Sequence, residues 1–501
     1  MKVIMVMFDS LNRRFLPPYG DDDVFAPAFR RLEKHSVVFD SCYAGSLPCM
    51  PARRELHSGR YSFMHRGWTP LEPFDDSMPE ILKMNGIHTH LISDHDHYWE
   101  DGGATYHTRY STWENVRGQE GDSWKCDLLS ASEPDTVVGG VAPETPAFKK
   151  RRYRNDCVNR TCRSTHDKSC QREVFRLGEE FIEKNAEADN WFLQIESFDP
   201  HEPFFTYEEF LNLYERTDIG KELDWPPYAK VKEGDDVVNH IREKYRAMIS
   251  MCDYNLSRIL SLMDKHDLWK DTMLIVNTDH GYMLGEHGWW AKNAMPCYNE
   301  IVNLPLFIWD PRSGKKNERR KSLVQTIDLP ATILSFFNMP VSPLMQGKDL
   351  MKTVESDTPV RDYALFGYFG MQMNITDGRY VYMRNAQDRN VQLYEYTLMP
   401  TRLCWRMGAE LEKATLAPPF SFSKGMPLLK IPFGAPGSGM GDRSVNEYGS
   451  QLFDLEKDPQ ELNPIEDPET EARLSSAMVK LMKESDAPSE LYERMGFPHN
   501  K

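Results

Sequence analysis

The stretch from Cys49 to Arg60 places a nucleophilic side chain beside a fixed positive charge. Pro51 follows the cysteine closely, Arg53 comes next, and a Ser-Gly pair closes the stretch. Because proline favours the first turn of a helix, we expect a helix with Cys49 near its N-terminus. That position, together with the arginine, is expected to favour the thiolate form of the cysteine. Taken alone, the stretch fits equally well a half-buried structural cysteine beside a surface run of charges.

Four other polar groups each follow an apolar run that predicts a buried β-strand. Ligands of open α/β sheets bind outside the carboxyl ends of the strands, so we expect these groups to converge on one crevice. The groups are Asp9-Ser10 after residues 3–8, His95 and His97 after 89–92, Asp199-Pro200-His201 after 191–195, and Asp279-His280-Gly281 after 273–276.

Asp9, Asp279 and His280 form a ligand set for a divalent metal ion. Oxygen-rich ligation suits Ca²⁺ or Mg²⁺, and the histidine leaves Mn²⁺ open. On its own, the sequence Asp279-His280-Gly281 also fits a simple turn. The presence of the other polar groups at strand ends favours the metal site.

Two further residues can act on an anionic substrate beside such a metal. Lys292 can hold a tetrahedral oxyanion, although a lysine in this position also fits a solvated surface charge. His201 lies between two prolines, which hold it on a rigid loop, and its ring can donate a proton or a hydrogen bond.

The elements that must position these residues indicate an α/β fold. Strands and helices alternate along the first part of the chain, with the clearest helix at 241–265 and another at 327–337. This pattern predicts a large mixed, mostly parallel sheet with helices on both faces, over a catalytic domain at 1–355. Residues 100–172 are polar and predict long surface loops. Shorter aromatic segments predict a smaller C-terminal subdomain at 356–501 with an antiparallel sheet and a helix, interrupted by a long excursion at 404–447.

Size and charge narrow the class of protein. A chain of 501 residues exceeds what one hydrophobic core usually serves, so two domains are expected. The formal net charge of −16 argues against a nucleic-acid partner and suits a protein that holds cations. The sequence shows neither a long apolar run nor a signal peptide, so we expect no membrane contact and a cytoplasmic location.

The nine cysteines are odd in number and scattered along the chain. Cys157, Cys162 and Cys170 lie together in a basic polar segment. Isolated loop cysteines are favoured there over a metal knuckle or a disulfide.

In these motifs, the sequence resembles the type I, formylglycine-dependent sulfatases of the alkaline phosphatase superfamily. The resemblance runs in order from residue 3 to about residue 465. A tyrosine-phosphatase loop would need its arginine two residues after Arg53, where Glu55 stands. The motifs that carry the resemblance are Cys-x-Pro-x-Arg with Ser-Gly-Arg at 49–60, Asp-Pro-His-Glu-Pro at 199–203, Thr-Asp-His-Gly through Gly-Glu-His-Gly at 278–288, and Lys292.

The resemblance implies that a separate maturation enzyme oxidises Cys49 to Cα-formylglycine, whose hydrate supplies the nucleophile. It implies that Arg53 stabilises the charge of this group and that a metal, Ca²⁺ with Mn²⁺ or Mg²⁺ as alternatives, draws one hydroxyl toward alkoxide. The second hydroxyl then expels sulfate. The implied site has metal ligands Asp9, Ser10, Asp279, His280 and the modified Cys49, a proton donor in His201, an anion clamp in Lys292, and a substrate contact in His287.

Two positions depart from the family pattern. The usual pair of aspartates after the first strand is here Asp9-Ser10, which replaces one ligand by a weaker oxygen. The usual Gly-Lys-Trp-His after the third strand is here residues 93–97, which lack the sulfate-binding lysine. We therefore assign the sulfate contact to His95 and His97, with Lys292 as the remaining clamp.

The expected activity is hydrolysis of a sulfate monoester, either a sulfated carbohydrate or an aryl sulfate, because aromatic residues in the 99–163 segment can stack on sugar and aryl faces alike. The departures leave open a phosphonate monoester or phosphodiester hydrolase that uses the same formylglycine. A non-catalytic glycan-binding relative is a third reading. The joint retention of Cys49, Arg53, His201 and Lys292 argues against it.

Overall fold

The structure is a computed structural model that describes residues 1–129, 134–404, 406–434 and 447–498. Its strands are β1 (Lys2–Phe8), β2 (Val37–Phe39), β3 (Cys42–Tyr43), β4 (Ser46–Leu47), β5 (His88–Ser93), β6 (Thr112–Asn115), β7 (Trp191–Ser197), β8 (Thr272–Thr278), β9 (Met283–Leu284), β10 (Trp290–Ala291), β11 (Asn303–Leu304), β12 (Leu306–Trp309), β13 (Glu318–Arg320), β14 (Val324–Gln325), β15 (Ala364–Tyr368), β16 (Met373–Thr376), β17 (Tyr380–Arg384), β18 (Tyr394–Thr397), β19 (Thr415–Ala417), β20 (Leu428–Pro432) and β21 (Gln451–Asp454).

The helices of the described residues lie between these strands and at the C-terminal end. They are α1 (Pro27–His35), α2 (Cys49–Ser58), α3 (Met78–Met84), α4 (Ala104–His107), α5 (Ala147–Cys162), α6 (Cys170–Asn185), α7 (Glu208–Leu211), α8 (Asp235–Lys265), α9 (Asn299–Val302), α10 (Asp328–Phe336), α11 (Met351–Ser356), α12 (Pro468–Glu484) and α13 (Ser489–Arg494).

The main sheet has eight strands in the order β13-β2-β12-β8-β1-β7-β5-β6. The pairs of β1 with β7 and β8, and of β5 with β6 and β7, are parallel, whereas β12 runs antiparallel to both of its neighbours. This confirms the predicted mixed, mostly parallel sheet. Phe8 is level with Ser197 and with Thr278, so the residues that follow three neighbouring strands emerge side by side.

Strand β1 lies inside the main sheet between β8 and β7, and both of its faces are buried. Successive side chains of a strand point to opposite faces, and those of β1 divide accordingly between two apolar clusters. Val3, Met5 and Met7 belong to one cluster, and Ile4, Val6 and Phe8 belong to the other. Helix α8 packs on the second face, and its Asp253 caps α1 by accepting hydrogen bonds from the amides of Ala28 and Phe29 at 3.0 and 2.8 Å.

A five-stranded sheet, in the order β21-β17-β16-β15-β4, forms the C-terminal part of the fold. Its core is antiparallel, but β15 pairs in parallel with β4, which lies just before Cys49. The smaller predicted antiparallel sheet is therefore present, and one of its edges is built from the N-terminal half of the chain. Helix α12 contributes Leu474, Ala477, Met478 and Met482 to the apolar cluster that covers this sheet.

The prediction that residues 100–172 form irregular loops is wrong in part. The segment contains β6, the sixteen-residue helix α5 and the start of α6. Helix α5 lacks an apolar stripe, because the residues that it buries are the polar Asp156 and Asn159. Its inward face is held by ion pairs, so hydrophobic periodicity could not reveal it. Cys157 and Cys162 consequently lie in a helix and Cys170 begins another, and all nine cysteines are free.

Part of the predicted excursion at 404–447, namely residue 405 and residues 435–446, lies outside the described residues. The described part contains β19 and β20, which pair with each other, and β20 also pairs with β18. Among the described residues, no helix combines the length and apolar character needed to cross a membrane.

Candidate active site

Helix α2 carries the Cys49 stretch and is completely buried. It begins at Cys49 just after β4, with Pro51 in its first turn. It ends at Ser58 and is followed by the C-cap residue Gly59, whose φ of 59° is left-handed. The amide of Gly59 donates to the carbonyl of Glu55 at 2.8 Å and closes the helix. Residues four apart lie on one face of a helix, so Arg53 stands one turn above Cys49 on the same side.

Arg53 binds carboxylates that three strands of the main sheet deliver. Its Nε donates to Glu196 Oε1 at 2.7 Å, its Nη1 to Asp279 Oδ2 at 2.7 Å, and its Nη2 to Asp9 Oδ2 at 2.9 Å. Burial alone would raise the pKa of Asp9, but the positive charge of Arg53 and its neighbours holds that pKa well below its usual value. Asp9 is therefore ionised across the physiological range.

The metal-type ligands that the sequence predicted lie together beside this arginine. One ligand atom each from Asp9, Cys49, Asp279 and His280 lies within 4.8 Å of the others, and all four residues are buried. The Sγ atom of Cys49 is 3.1 Å from Nε2 of His280. The ring of His280 places Nδ1 at 2.8 Å from the carbonyl of Gly281, so the proton belongs on Nδ1 and the lone pair of Nε2 faces the cluster.

This donor set fits a divalent cation. Burial lowers the pKa of His280 and keeps its ring neutral, as a metal ligand requires. Three carboxylates surround Arg53, whereas the buried cations at the site are Arg53 and Lys292, so negative charge is in excess. Two carboxylate oxygens and an imidazole suit Ca²⁺, Mg²⁺ or Mn²⁺.

The expectation that the Cys49 thiolate is favoured is wrong. Burial, followed by the negative charge of Asp9, raises the pKa of Cys49 well above its usual value. Lys292 and Arg53 act in the opposite direction but do not overcome this effect, because their charges are taken up by carboxylates. The unmodified side chain is a neutral thiol and therefore a poor nucleophile.

Lys292 is a buried cation next to Ser10. Its Nζ donates to Ser10 Oγ at 3.0 Å and lies 3.7 Å from Glu202 Oε2. Burial opposes the charge, but Cys49, followed by the carboxylates of Glu202 and Asp9, raises the pKa of Lys292 above its usual value. The Ser10 hydroxyl donates to Asp9 Oδ1 at 2.7 Å, and its amide donates to Asp279 Oδ1 at 3.1 Å. Ser10 thus fixes two carboxylates and also contacts the lysine.

His201 faces the cavity from the loop after β7. Its Nδ1 is 2.5 Å from the carbonyl of Glu202, which leaves Nε2 without a proton in the neutral ring. Burial and the charge of Lys292 lower the pKa of His201 well below its usual value, so the ring is neutral in the free site. Glu202 accepts a hydrogen bond from Tyr228 at 2.5 Å, and burial raises the pKa of Glu202 to about 7.

The three predicted substrate histidines lie in different environments. His97 lines the cavity, and its Nδ1 pairs with Glu100 Oε2 at 2.5 Å. His95 is fully buried against Phe198, and neither ring nitrogen has a hydrogen-bond partner. The ring of His287 stacks on Tyr298 at 3.7 Å and does not line the cavity among the described residues.

A cavity of about 950 Å³ opens above Cys49, Lys292 and His201. The N-terminal part of the chain and the C-terminal sheet both line this cavity, because the end of β15 pairs with β4, just before α2. The Tyr368 hydroxyl of β15 donates to the carbonyl of Lys292. Aromatic side chains form much of its wall, namely Trp68, Tyr228, Trp289, Tyr368, Phe369 and Phe433. Charged side chains form the rest, among them Arg152, Lys230, Lys232, Arg402, Glu120, Glu395 and Glu447.

Sequence reasoning missed two acids at this site. Glu196 lies within β7, two residues of which the predicted strand at 191–195 left out, and it accepts a hydrogen bond from Arg53. Glu202 lies inside the Asp-Pro-His-Glu-Pro motif but received no role. The available signal for Glu196 was a carboxylate in a strand that is otherwise uncharged, because a charge is buried only when it is paired.

Comparisons with known proteins agree with this geometry. A family model described as sulfatase matches residues 2–339, and one described as N-sulphoglucosamine sulphohydrolase, C-terminal, matches residues 285–398. Iduronate 2-sulfatase of Mus musculus is 25% identical over 414 residues, covering 68% of this chain and 70% of that protein. An N-acetylglucosamine-6-O-sulfatase of Bacteroides thetaiotaomicron is 22% identical and covers 78% of each chain.

Solved structures share the fold. The phosphonate monoester hydrolase of Agrobacterium radiobacter superposes with a TM-score of 0.64 at 18% identity, covering 96% of this chain and 95% of that one. A protein in complex with its substrate D-glucosamine-2-N,6-O-disulfate superposes with a TM-score of 0.66 at 14% identity, covering 97% and 98%. Fold and site together fit a hydrolase of the alkaline phosphatase superfamily. Because the sulfatase model matches well over half of the sequence, the chain belongs to the sulfatase family and is an enzyme of that family.

Replacing Arg53 tests the charge network. Arg53→Gln leaves three buried carboxylates without their cation, so we expect the free energy of unfolding to fall by about 3–5 kcal/mol. Chemical denaturation at neutral pH measures this. The matched control is Arg258→Gln, which breaks a partly exposed pair with Glu179 and is expected to cost about 1 kcal/mol or less. Equal losses in the two variants would contradict the network.

Proposed function

We propose that this enzyme hydrolyses a sulfate monoester of a carbohydrate, with residue 49 working as formylglycine beside a divalent cation. The observation that supports it best is the group at the base of the cavity. Cys49 lies 3.1 Å from His280 and within reach of Asp9 and Asp279, at the N-terminus of a buried helix.

The residues present suit both the modification and the metal. When bound, the formylglycine hydrate and the cation supply an ionised hydroxyl that attacks sulfur and a second hydroxyl that releases sulfate. Asp9, Asp279, His280 and residue 49 would hold the cation, with Ca²⁺ as the family resemblance implies. Arg53 keeps both aspartates oriented. A separate maturation enzyme would convert Cys49.

Lys292 and His97 are suited to bind the sulfate group. Lys292 is buried, but Cys49 and the neighbouring carboxylates raise its pKa above the usual value, so it is positively charged. Burial opposes the charge of His97 as well, but Glu100 and Asp96 raise the pKa of His97 above its usual value. Donors that are fixed in a partly desolvated site stabilise developing negative charge more than flexible surface cations do.

His201 is suited to act on the leaving oxygen. Its Nε2 carries a lone pair in the free site, because Nδ1 donates to the carbonyl of Glu202. The negative charge of an arriving sulfate ester would favour a proton on Nε2, which could then pass to the departing alkoxide.

The carbohydrate part of the proposal rests on the cavity and on the relatives. About 950 Å³ is large for a small alcohol and suits one or more sugar rings. Six aromatic side chains in the wall offer faces on which sugar rings stack. Several relatives are named for sulfated sugars, including the iduronate and N-acetylglucosamine enzymes, although a choline-sulfatase of Rhizobium meliloti is also 24% identical.

A phosphonate monoester or phosphodiester is the second candidate substrate. Two departures from the family pattern favour it. The segment 93–97, where a typical sulfatase has its anion-binding lysine, contains no lysine, and Ser10 replaces the second aspartate. The phosphonate monoester hydrolase of Agrobacterium radiobacter also shares the fold over nearly the whole chain.

The choice between the two anions can be measured on one preparation. We expect kcat/KM for a sulfate monoester to exceed that for a phosphonate monoester with the same leaving group by about tenfold or more, equivalent to about 1.4 kcal/mol. Cys49→Ala is the control and is expected to remove both activities. A preference for the phosphonate would reverse the assignment.

The role of His201 can be tested through the leaving group. We expect His201→Ala to lower kcat/KM by about 10²–10⁴-fold for a sugar sulfate, whose alkoxide needs a proton. The loss should be much smaller for a nitrophenyl sulfate, whose leaving group departs as a stable anion. Equal losses for both substrates would show that His201 is not the proton donor.

A further inference from the structure

Two buried carboxyl groups behind the active site share one amide. The Nε2 atom of Gln119 donates to Asp94 Oδ2 at 2.9 Å and to Asp199 Oδ2 at 3.0 Å. All three side chains are buried. The glutamine belongs to the segment between β6 and α5, whereas the two acids follow β5 and β7. A single side chain therefore connects three separate parts of the chain.

The orientation of this amide is fixed by its other end. Arg163 donates from Nη1 to Gln119 Oε1 at 2.7 Å and from Nη2 to Asp156 Oδ1 of α5 at 2.7 Å. Since arginine has no acceptor, the amide oxygen must face it and the amide nitrogen must face the two carboxyls. The polar helix α5 thus serves to hold Gln119 in place.

The two acids lie next to two histidines, of which His201 lines the cavity and His95 is buried against Phe198. Asp94 precedes His95, and its Oδ1 accepts a hydrogen bond from the amide of Phe198 at 2.7 Å. Asp199 lies between Phe198 and the Pro200-His201 pair. The ring of Phe198 is 5.3 Å from that of His95 and 4.1 Å from that of His201. Moving either acid would move these rings.

The electrostatics favour a proton on one of the two acids at neutral pH. Burial and the neighbouring Asp199 raise the pKa of Asp94 to about 8, and burial raises the pKa of Asp199 to about 6 although Arg163 opposes this. The thiols of Cys170 in α6 and Cys252 in α8 also face the pair, and burial raises the pKa of each, so they stay neutral. The folded protein therefore binds more protons here than the unfolded chain does, and the contact weakens as the pH rises through about 8.

We propose that Gln119, Asp94 and Asp199 form a clamp of positioning residues that holds Phe198, and through it the ring of His201, in the geometry required for ester hydrolysis. The clamp does not touch the reacting atoms and acts through the loops after β5 and β7. This inference rests on the proposed function for its catalytic consequence, but its structural part can be measured separately.

The test compares Gln119→Ala and the isosteric Gln119→Glu with the wild type. The control is Gln346→Ala, which removes a hydrogen bond from Gln346 Nε2 to Ser485 Oγ in the C-terminal part of the chain. Hydrogen exchange of the peptide containing Phe198 reports the clamp, and kcat/KM against pH reports its effect. In Gln119→Ala we expect exchange to rise and kcat/KM to fall by about 10- to 100-fold, the range for lost hydrogen bonds to charged groups. The Gln346→Ala control should match the wild type in both readouts.

Gln119→Glu separates positioning from a merely structural role. A protonated glutamic acid can still donate to one neighbour, whereas an ionised one adds a third negative charge. We therefore expect kcat/KM close to that of the wild type at low pH. At high pH we expect kcat/KM to fall at a pH about one unit or more below that of the wild type. A pH profile parallel to that of the wild type would overturn the proposal, and so would faster exchange with unchanged activity.

The two proposals fail in distinguishable ways. An inactive wild-type enzyme whose Phe198 peptide exchanges faster in Gln119→Ala would overturn the proposed function and support the clamp. An active wild type with unchanged exchange in both Gln119 variants would overturn the clamp alone.

Discussion

The ion pairs of Arg53 are the interaction on which the rest of the site depends. A buried guanidinium is tolerated only when its donors are matched by acceptors, and here the acceptors come from Asp9, Glu196 and Asp279. They can meet one side chain only if β1, β7 and β8 are parallel and in register, as the alignment of Phe8 with Ser197 and Thr278 provides. The sheet, the helix after β4 and the charge network therefore determine one another.

This arrangement also accounts for the raised pKa of the Cys49 thiol. Burial has the largest effect, and the carboxylates that anchor Arg53 add a negative field, which suits a cation and disfavours a thiolate at the same point. A site of this kind favours a neutral precursor whose reactive form is made by modification. The aromatic wall above it, supplied partly by residues after β15, separates the choice of substrate from the chemistry at the base of the cavity.

Much of the fold and the metal-type cluster could be predicted from sequence. Buried parallel strands are continuous apolar runs, and the polar residues that follow them are readable because strand ends must converge. This is why Asp9, Asp279 and His280 were predicted together. Helix α5 could not be found in the same way, since it buries Asp156 and Asn159 through ion pairs and amide contacts instead of an apolar stripe.

Side-chain direction was the other limit. His95, His97 and His287 were grouped as substrate contacts by their motifs, but only His97 lines the cavity, since the ring of His287 stacks on Tyr298 and that of His95 packs against Phe198. The thiolate prediction failed for Cys49 because sequence spacing shows a nearby cation but neither the burial of the thiol nor the charge of Asp9, which together raise its pKa.

Mass spectrometry of the tryptic peptide that ends at Arg53, from protein co-expressed with a formylglycine-generating enzyme, tests directly whether residue 49 is modified. We predict that residue 49 has the mass of an aldehyde or its hydrate, and that the modified fraction of the protein parallels the sulfatase activity. A preparation that is fully active while residue 49 remains an unmodified thiol would contradict this prediction.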